Sequence, residues 1–232
     1  MALRIIVSYD DSDNDRDALA LARLLALPGA DLSLAYVRHS TQKEDSEEAT
    51  EQKQAEELLE HGAAEIGAPE MARHVVVHAS TAEGLTDLAE REDADIVVFG
   101  SDYRTAAGLL KPGIAAHKML LGGPAAIAVA PAGLRAQASV RVATVGVIAE
   151  GDETARETAD SLAVALGATV REFDGGRVDL LVVGSRPESV PGRVTLSAAS
   201  DYAVEAATFP VIVVPRGTAI SFAAAQAEPA SA

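Results

Sequence analysis

The chain contains no cysteine and no tryptophan, and aromatic residues make up only 3% of its 232 positions. The lack of cysteine excludes disulfides, thiolate catalysis and cysteine zinc sites. Because 48% of the residues are hydrophobic and so few are aromatic, the core must consist of Ala, Val, Leu and Ile. No stretch approaches the roughly 20 apolar residues of a membrane-spanning helix, so we expect no membrane segment.

Positive charge is also scarce. The 19 Lys and Arg residues are outnumbered by 35 Asp and Glu residues, and the net charge is −16. Such an acidic chain is a poor partner for a nucleic-acid backbone or an anionic membrane, and we expect neither. The first residues lead directly into an apolar segment without the pattern of a signal peptide. We therefore expect a cytoplasmic protein.

The most informative feature that is present is an internal repeat with an offset of 84 residues. Residues 94–101 read ADIVVFGS, and residues 178–185 read VDLLVVGS. Residues 127–133 read IAVAPAG, and residues 211–217 read VIVVPRG. A repeat of this length indicates that one α/β unit has been duplicated.

Apolar runs alternate with helix-compatible stretches through the first half of the chain. The predicted strands of this half are residues 4–9, 32–37, 73–78, 95–100 and 125–130. Helices are predicted between them, the first ending near Leu27 and the last covering 113–122. Five strands joined by helices predict a parallel sheet with helices on both faces.

The second half looks like the same unit with its middle removed. Its predicted strands are residues 142–149, 168–173, 178–184 and 211–214, with a helix over 152–166. Between its second and fourth strands the first half has about 55 residues, whereas the equivalent connection in the second half has about five. A helix, a strand and a further helix are therefore missing. The C-terminal SFAAAQAEPASA is of low complexity, and we expect it to be disordered.

Four motifs make the chain similar to tandem universal stress proteins, which have the adenine-nucleotide α-hydrolase-like, Rossmann-like α/β sandwich. They are VSYDDSDNDRDAL at 7–19, a second strand ending at Val37, a degenerate Gly-x2-Gly-x9-Gly-[Ser/Thr] loop at 100–114, and GGPAAIAVAP at 122–131. The resemblance implies a universal stress protein-like domain at 1–134, a truncated copy at 140–217 and a disordered tail at 218–232. We expect strand order 3-2-1-4-5 for residues 3–133 and a three- or four-stranded version for 140–217, rather than one continuous mixed sheet.

The resemblance also implies a nucleotide site, but its phosphate loop is altered. Gly100 and Gly113 stand in register with the family motif, whereas Tyr103 replaces the middle glycine and Ile114 replaces the hydroxyl residue. Tyrosine lacks the conformational freedom of glycine, and isoleucine cannot donate a hydrogen bond. Each hydrogen bond lost to a charged group costs about 1.5–3 kcal/mol. We therefore expect ATP or AMP to bind weakly at most, although Arg104 and Lys111 lie within the loop and can offset part of the loss.

Two further residues belong to the implied nucleotide site. Asp10 resembles the acid that binds adenine, and Val37 resembles its partner that contacts the base through the backbone. A simpler interpretation of Asp10 is that it caps the first helix.

The second half has even less of the phosphate loop. Gly184 is retained, but the three other loop positions are Pro187, Ser197 and Ala198. The Asp that follows the first strand of the first half is either replaced by Glu150 in this half or lost. We expect no nucleotide in this half.

Metal sites have weaker support. Asp11, Asp13 and Asp15 alternate as in a calcium loop, but Arg16 replaces the required glycine and Ala22 the required glutamate. An Asp-rich turn of this kind also occurs in phosphohydrolases, where no residue such as Ser12 interrupts it.

His74 and His78 fall on one face of a predicted strand and would suit a metal pair. The simpler interpretation is that both histidines lie at the surface. The acidic stretch 44–51 is most simply a solvated helix face or a connector. No Ser-His-Asp grouping is evident. We expect no metal and no catalytic residue.

The resemblance favours a stress-responsive regulatory module that works through protein contacts and is not an enzyme; the alternative is an ATP- or AMP-binding regulator with at most slow hydrolysis. Neither the stress nor the protein partner can be named. The strands at 125–130 and 210–214 are apolar and would lie at sheet edges, where an unpaired edge invites association. We expect them to pair antiparallel, giving an intramolecular pseudo-dimer, and leave a homodimer open.

Overall fold

The computed structural model describes residues 2–26, 29–39, 45–136 and 141–222, and over these ranges strands alternate with helices. The strands are β1 (Arg4–Ser8), β2 (Asp31–Arg38), β3 (Ala72–Val77), β4 (Ile96–Gly100), β5 (Ala126–Ala130), β6 (Thr144–Ile148), β7 (Thr169–Glu172), β8 (Leu180–Val183) and β9 (Val211–Val213). The α-helices are α1 (Asp13–Leu25), α2 (Asp45–Glu65), α3 (Thr81–Arg91), α4 (Ile114–Met119), α5 (Glu153–Leu166) and α6 (Ala198–Glu205). A short 3-10 helix, Leu134–Ala136, follows β5.

The first five strands form a parallel sheet in the order β3-β2-β1-β4-β5. The central strand is β1, in which Ile5 lies opposite Leu32 of β2 on one side and Ile96 of β4 on the other. Its contiguous apolar residues are buried because helices cover both faces of the sheet. The predicted order 3-2-1-4-5 is confirmed.

The remaining strands continue the same sheet in the order β9-β8-β6-β7. The join between the two sets is an antiparallel pair, in which Ile127 of β5 lies opposite Val213 of β9. The predicted pairing of these two edges is therefore confirmed. The expectation of two separate sheets is wrong, because this pairing itself merges two parallel sheets into one continuous mixed sheet of nine strands.

The contacts across this join are reciprocal. The backbone N–H of Leu110 donates to the carbonyl of Ala207 at 3.1 Å, and that of Val194 donates to the carbonyl of Gly123 at 2.9 Å. Leu110 and Val194 are 84 positions apart, and so are Gly123 and Ala207. The two parts, called here the first unit (residues 3–133) and the second unit (residues 140–217), therefore meet in a two-fold manner.

Each face of the sheet has its own apolar layer. One layer contains Leu21 of α1, Leu59 of α2 and Leu162 of α5, all with no exposed surface. The other contains Leu85 of α3 and Val204 of α6, which are equally buried. As the composition requires, aliphatic residues supply nearly all of this core.

In the second unit, side chains from the loops pack on the shortened sheet. A Cβ at Gly146 in β6 would lie 3.0 Å from the Val178 side chain, so Val178 packs directly on the backbone of that strand. Phe173 and Phe209 meet edge to face with ring centroids 5.8 Å apart. These residues belong to the same apolar layer as α3, and therefore lie on the same face of the sheet.

Helix α4 is shorter than the predicted 113–122. It ends at Met119 because Gly122 and Gly123 follow, and a Cβ at Gly123 would lie only 2.7 Å from the Met119 carbonyl oxygen. The chain turns there and enters β5.

Part of the predicted C-terminal tail is ordered. Ile220 and Phe222 are buried against α5, and their backbone N–H groups donate to Thr158 Oγ1 and Ser161 Oγ at 2.9 and 2.8 Å. The expectation of disorder from residue 218 is therefore wrong for 218–222, where two apolar side chains complete the core. Residues 223–232 lie outside the described residues, as does Leu27 at the predicted end of the first helix.

Candidate functional site

The predicted site residues of the first unit follow three neighbouring strands. Asp10 comes after β1, Val37 lies near the end of β2, and Gly100 ends β4. Because the carboxyl ends of parallel strands share one edge of a sheet, these three positions lie at the same edge, where α/β proteins usually bind ligands. The loop 101–112 and α4 extend from β4 at this edge.

Gly100 is required by the packing of α1. A Cβ at this position would lie 2.1 Å from the backbone oxygen of Asn14, in the first turn of that helix. The amide of Asn14 in turn donates to the carbonyls of Ser101 and Asp102 at 3.0 and 2.7 Å. In the second unit a Cβ at Gly184 would lie 2.6 Å from the Ala149 oxygen. Both repeat glycines therefore allow a close backbone approach between the strand end and the neighbouring segment.

The loop 101–112 is closed by a buried hydroxyl. Ser101 Oγ donates to the Ala130 carbonyl at 2.7 Å and accepts from the Lys111 N–H at 3.2 Å. Ser185, 84 positions later, donates to Val214 at 2.7 Å and accepts from Thr195 at 3.0 Å. The Gly-Ser motif that marks the repeat in the sequence therefore encodes the same loop closure in both units.

Tyr103 lies on the outside of this loop with 68% of its surface exposed. The Arg104 guanidinium lies 4.7 Å from the centre of its ring, and Arg104 Nε donates to the Tyr103 hydroxyl at 2.6 Å. Tyr103 does not have a positive φ, so the loop as folded does not use the conformational freedom that glycine would supply here.

Gly113 and Ile114 begin α4. Gly113 is the N-cap residue and makes no side-chain capping bond; its φ is −70°, and a Cβ there would meet no atom within 4 Å. Nothing in the packing of the described residues therefore requires glycine at this position. Ile114, where the family motif has a hydroxyl, is 80% exposed.

Asp10 forms a carboxyl pair with Asp15. The Asp10 backbone N–H donates to Asp15 Oδ2 at 2.6 Å, and Asp10 Oδ1 accepts from the Ser12 N–H at 3.0 Å. Burial, and then a hydrogen bond between the two carboxyl groups, raise the pKa of Asp15 to about 8, and this side-chain hydrogen bond lowers the pKa of Asp10. Of the two carboxyls, Asp15 is therefore the one that keeps its proton to higher pH.

The capping interpretation of Asp10 is wrong. The residue that caps α1 is Ser12, whose Oγ accepts from the Asp15 N–H at 3.3 Å. Asp10 lies one turn before the helix and is free of that role.

A second polar network lies beside this pair. The buried Tyr9 donates to Asp11 Oδ1 at 3.0 Å, and Arg16 binds both Asp11 Oδ1 at 2.8 Å and Glu65 Oε1 at 3.0 Å. Burial, and then the bond to Asp11, raise the pKa of the Tyr9 phenol. The network ties α1 to α2 and pairs Asp11 with Arg16.

The side chain of Val37 is buried and packs against α3, where a Cβ at Gly84 would lie 3.1 Å from Val37 Cγ1. Any contact of this residue with a ligand would therefore be made by its backbone, as the family resemblance implies.

The second unit has a different arrangement at the equivalent edge. Glu150 follows β6 with a φ of +50°, unusual for a residue other than glycine. Its carboxylate accepts hydrogen bonds from the hydroxyls of Ser197, at 2.5 Å, and Ser200. Ser197 is the N-cap of α6, so the carboxylate lies at the positive end of that helix. The chain's own side chain therefore occupies the place where an anion would bind.

Only one of the two histidines, His74, lies within β3. His78 lies beyond the end of β3 and its Nδ1 accepts from the Ser80 N–H at 3.0 Å, while burial lowers the pKa of His74. Among the described residues no three His, Cys, Asp or Glu side chains are grouped to hold a metal ion. Within the same ranges no helix is long and apolar enough to cross a membrane.

Sequence reasoning identified the edge of the sheet but missed two of its polar residues. Asp15 was noted only as part of a calcium-like alternation, and Glu150 only as a degenerate equivalent of Asp10. For Asp15, the signal is a second carboxyl five residues after Asp10, in the first turn of the predicted helix. The contact of Glu150 with Ser200 joins positions 50 apart and has no local signal.

Comparison with known proteins agrees with this architecture. The model of the universal stress protein family matches residues 1–131. A universal stress protein structure from Archaeoglobus fulgidus is 15% identical, with a TM-score of 0.61, and the match covers 92% of this chain and 98% of that one. A functionally unknown protein from Pseudomonas aeruginosa is 13% identical, with a TM-score of 0.58 and 93% of each chain covered. These identities show the fold alone. No curated protein matches the chain.

Proposed function

Since the chain belongs to the universal stress protein family, we propose that it is a stress-responsive regulatory module that acts through protein contacts rather than through nucleotide chemistry. The observation that carries this proposal is Ile114. In the position of the hydroxyl that would bind a phosphate, α4 begins with an 80% exposed side chain that has no hydrogen-bond donor.

Two further observations support the proposal. The Tyr103–Arg104 pair takes up the loop position of the middle glycine, so an aromatic ring and a guanidinium stand where the family motif has no side chain. In the second unit, Glu150 already occupies the N-terminal end of α6, and its negative charge would repel a phosphate. We propose that residues 1–134 and 140–217 are a full and a truncated copy that form an intramolecular pseudo-dimer.

A second function, weak binding of ATP or AMP in the first unit, is favoured by Gly113. The packing of the described residues does not require glycine there, so a ligand that approaches the backbone would explain it. Arg104 and Lys111 make no ion pair with a carboxylate of the described residues and are available to an anion. In this second proposal the protein is a nucleotide-binding regulator in which Asp10 contacts the base.

Isothermal titration of the purified full chain with ATP, with and without magnesium, distinguishes the two functions. The protein-contact proposal expects no bound nucleotide after purification and a dissociation constant weaker than about 100 μM. A matched titration of an Asp10→Ala variant separates binding at this site from binding elsewhere. Tight binding by the unmodified chain that Asp10→Ala abolishes would overturn the first proposal and support the second.

A further inference from the structure

A cavity lies at the edge of the sheet opposite to the candidate nucleotide site. Its volume is about 560 Å³, and it is lined by residues from the amino ends of β1, β2 and β3 and from the end of α3. Asp10, Gly100 and the loop 101–112 lie at the carboxyl ends of the strands, so the cavity is separate from them. Its size is typical of a small-molecule site.

The strand register places the small and polar side chains of this cavity on one face of the sheet. Ser33 of β2 lies opposite Ile6 of β1 on one side and Ala72 of β3 on the other. His74 is on the same face as Ala72, because side chains alternate along a strand. Ile6 belongs to the same apolar layer as Leu85, so this is the face that α3 covers.

The second unit fills the corresponding space. Val178, 84 positions after Ala94, packs directly on the backbone of Gly146. Arg171 of β7 has the register position of Ser33, and its guanidinium donates to a carbonyl of the following loop. The first unit has the smaller side chains, Ala94 and Ser33, at both positions. The space is therefore a property of the first unit and is not imposed by the fold.

The charges that line the cavity leave carboxylates unpaired. Arg91 Nε donates to Glu92 Oε1 at 3.3 Å, and Arg4 Nη1 donates to the backbone carbonyl of Glu92 at 2.8 Å. Both guanidinium groups of the lining are therefore engaged. Asp31 and Glu70 are exposed at the rim, and neither forms an ion pair with another described residue. A chain with a net charge of −16 also attracts cations at long range.

Two half-buried groups add hydrogen-bond acceptors. Burial lowers the pKa of His74, so at neutral pH the ring is uncharged and one ring nitrogen can accept a hydrogen bond. This ring makes no hydrogen bond with another described residue. Ser33 Oγ donates to the Ile5 carbonyl at 3.4 Å and keeps its own lone pairs as acceptors. The cavity therefore combines unpaired carboxylates at its rim with neutral acceptors farther in.

We propose that this cavity binds a small organic cation: an amine with an apolar body that carries a hydroxyl group. The ammonium group binds Asp31 and Glu70 at the rim, and the apolar body lies against Ile6 and Ala72. The hydroxyl donates to the imidazole of His74. An anionic ligand would meet the two unpaired carboxylates instead. The proposal goes beyond the proposed function, because it concerns the other edge of the sheet and does not depend on nucleotide binding.

NMR titration of the isotopically labelled full chain with tyramine at neutral pH tests the proposal. We expect a dissociation constant of about 0.1–1 mM, which is ordinary for a ligand of about ten non-hydrogen atoms. The largest shifts should fall on the amides of residues 31–33, 70–74 and 91–94. Hydroxyphenylpropionate has the same ring with a carboxylate in place of the amine, and should bind at least about tenfold more weakly.

Variants of the lining locate the binding. Asp31→Asn with Glu70→Gln removes both rim carboxylates and should weaken tyramine binding by about tenfold. Glu60→Gln, at an exposed position of α2 outside the cavity, is the matched control and should have no effect. Ala72→Leu fills the floor of the cavity and should abolish binding. Circular dichroism of each variant confirms that the fold is retained.

His74→Leu tests the inner contact. It should weaken the binding of tyramine but not that of phenethylamine, which lacks the hydroxyl. Equal weakening of both amines would overturn the role given to His74. The proposal as a whole is overturned if tyramine shifts none of these amides or if hydroxyphenylpropionate binds as tightly. It is also overturned if either the double carboxylate variant or Ala72→Leu leaves the affinity unchanged.

Discussion

The carboxylate of Glu150 accepts a hydrogen bond from the hydroxyl of Ser197 at 2.5 Å, across 47 residues of the chain. Ser197 begins α6, and Ser200 in the first turn of that helix donates to the same oxygen. In the first unit the equivalent helix begins with Gly113 and Ile114, which offer no side-chain donor. The two units therefore differ at the start of equivalent helices. In the second unit the start of α6 binds a carboxylate of the same chain, and in the first unit the start of α4 has no polar side chain.

The first prediction concerns this contact. Glu150→Ala should lower the free energy of unfolding by about 1–3 kcal/mol, because two buried or half-buried hydroxyls lose a charged acceptor. Urea unfolding measures the change. Glu157→Ala, at an exposed position of α5, is the matched control and should change it by less than about 0.5 kcal/mol. Equal effects of the two substitutions would show that the contact does not stabilise the fold.

The second prediction compares two glycines of the same motif. Gly100→Ala should destabilise the protein by about 3 kcal/mol, because its Cβ would lie 2.1 Å from the Asn14 oxygen. Gly113→Ala should cost less than about 1 kcal/mol, since its φ is −70° and the space around it is open. Thermal unfolding of both variants gives the comparison. A large loss of stability at Gly113 would mean that the fold, and not a ligand, explains this glycine.

The strand order could be predicted because it depends on features that a sequence displays directly. Buried strands appear as apolar runs, the repeat shows where each unit begins and ends, and the short connection after Phe173 shows that an entire strand is missing. The pairing of β5 with β9 followed from the apolar character of two equivalent edges. The same reasoning should have excluded two separate sheets, because paired edges leave a single sheet.

The site was less predictable because its details depend on competition between neighbouring polar residues. Asp10 and Ser12 are both good capping residues two positions apart, and only the path of the chain after β1 decides that Ser12 caps α1. Asp15 is half-buried, which depends on tertiary packing around the first turn of α1. The ordering of Phe222 depends on its contacts with α5, which the composition of the tail does not reveal.

The third prediction follows from the carboxyl pair of Asp10 and Asp15. A carboxyl whose pKa rises from 3.8 to about 8 on folding binds more protons in the folded state than in the unfolded state between these values. Its contribution to stability therefore falls as the pH rises through that window. Asp15→Asn removes this titration while keeping the shape of the side chain. The stability of Asp15→Asn relative to the unmodified chain should thus increase from pH 5 to pH 8, by at most about 1.4 kcal/mol per pH unit.

Chemical unfolding at several pH values checks this prediction. Asp87→Asn, at an exposed position of α3, serves as the control and should track the unmodified chain at every pH. The lowered pKa of His74 affects all three proteins alike and cancels in the difference. A constant difference between Asp15→Asn and the unmodified chain would show that Asp15 is already ionised at pH 5.

The last prediction tests whether the altered loop is what weakens nucleotide binding. Tyr103→Gly with Ile114→Ser should improve the affinity for ATP by two or more orders of magnitude, since about 3–5 kcal/mol is at stake. Both side chains are largely exposed, so the fold should tolerate the change. Pro187→Gly with Ala198→Ser makes the equivalent change in the second unit and should give no binding, because Glu150 occupies the end of α6. Adding Asp10→Ala to the first pair should abolish the gain. If calorimetry finds no gain for the first pair, features other than these two residues prevent binding, and the role assigned to Ile114 in the proposed function is wrong.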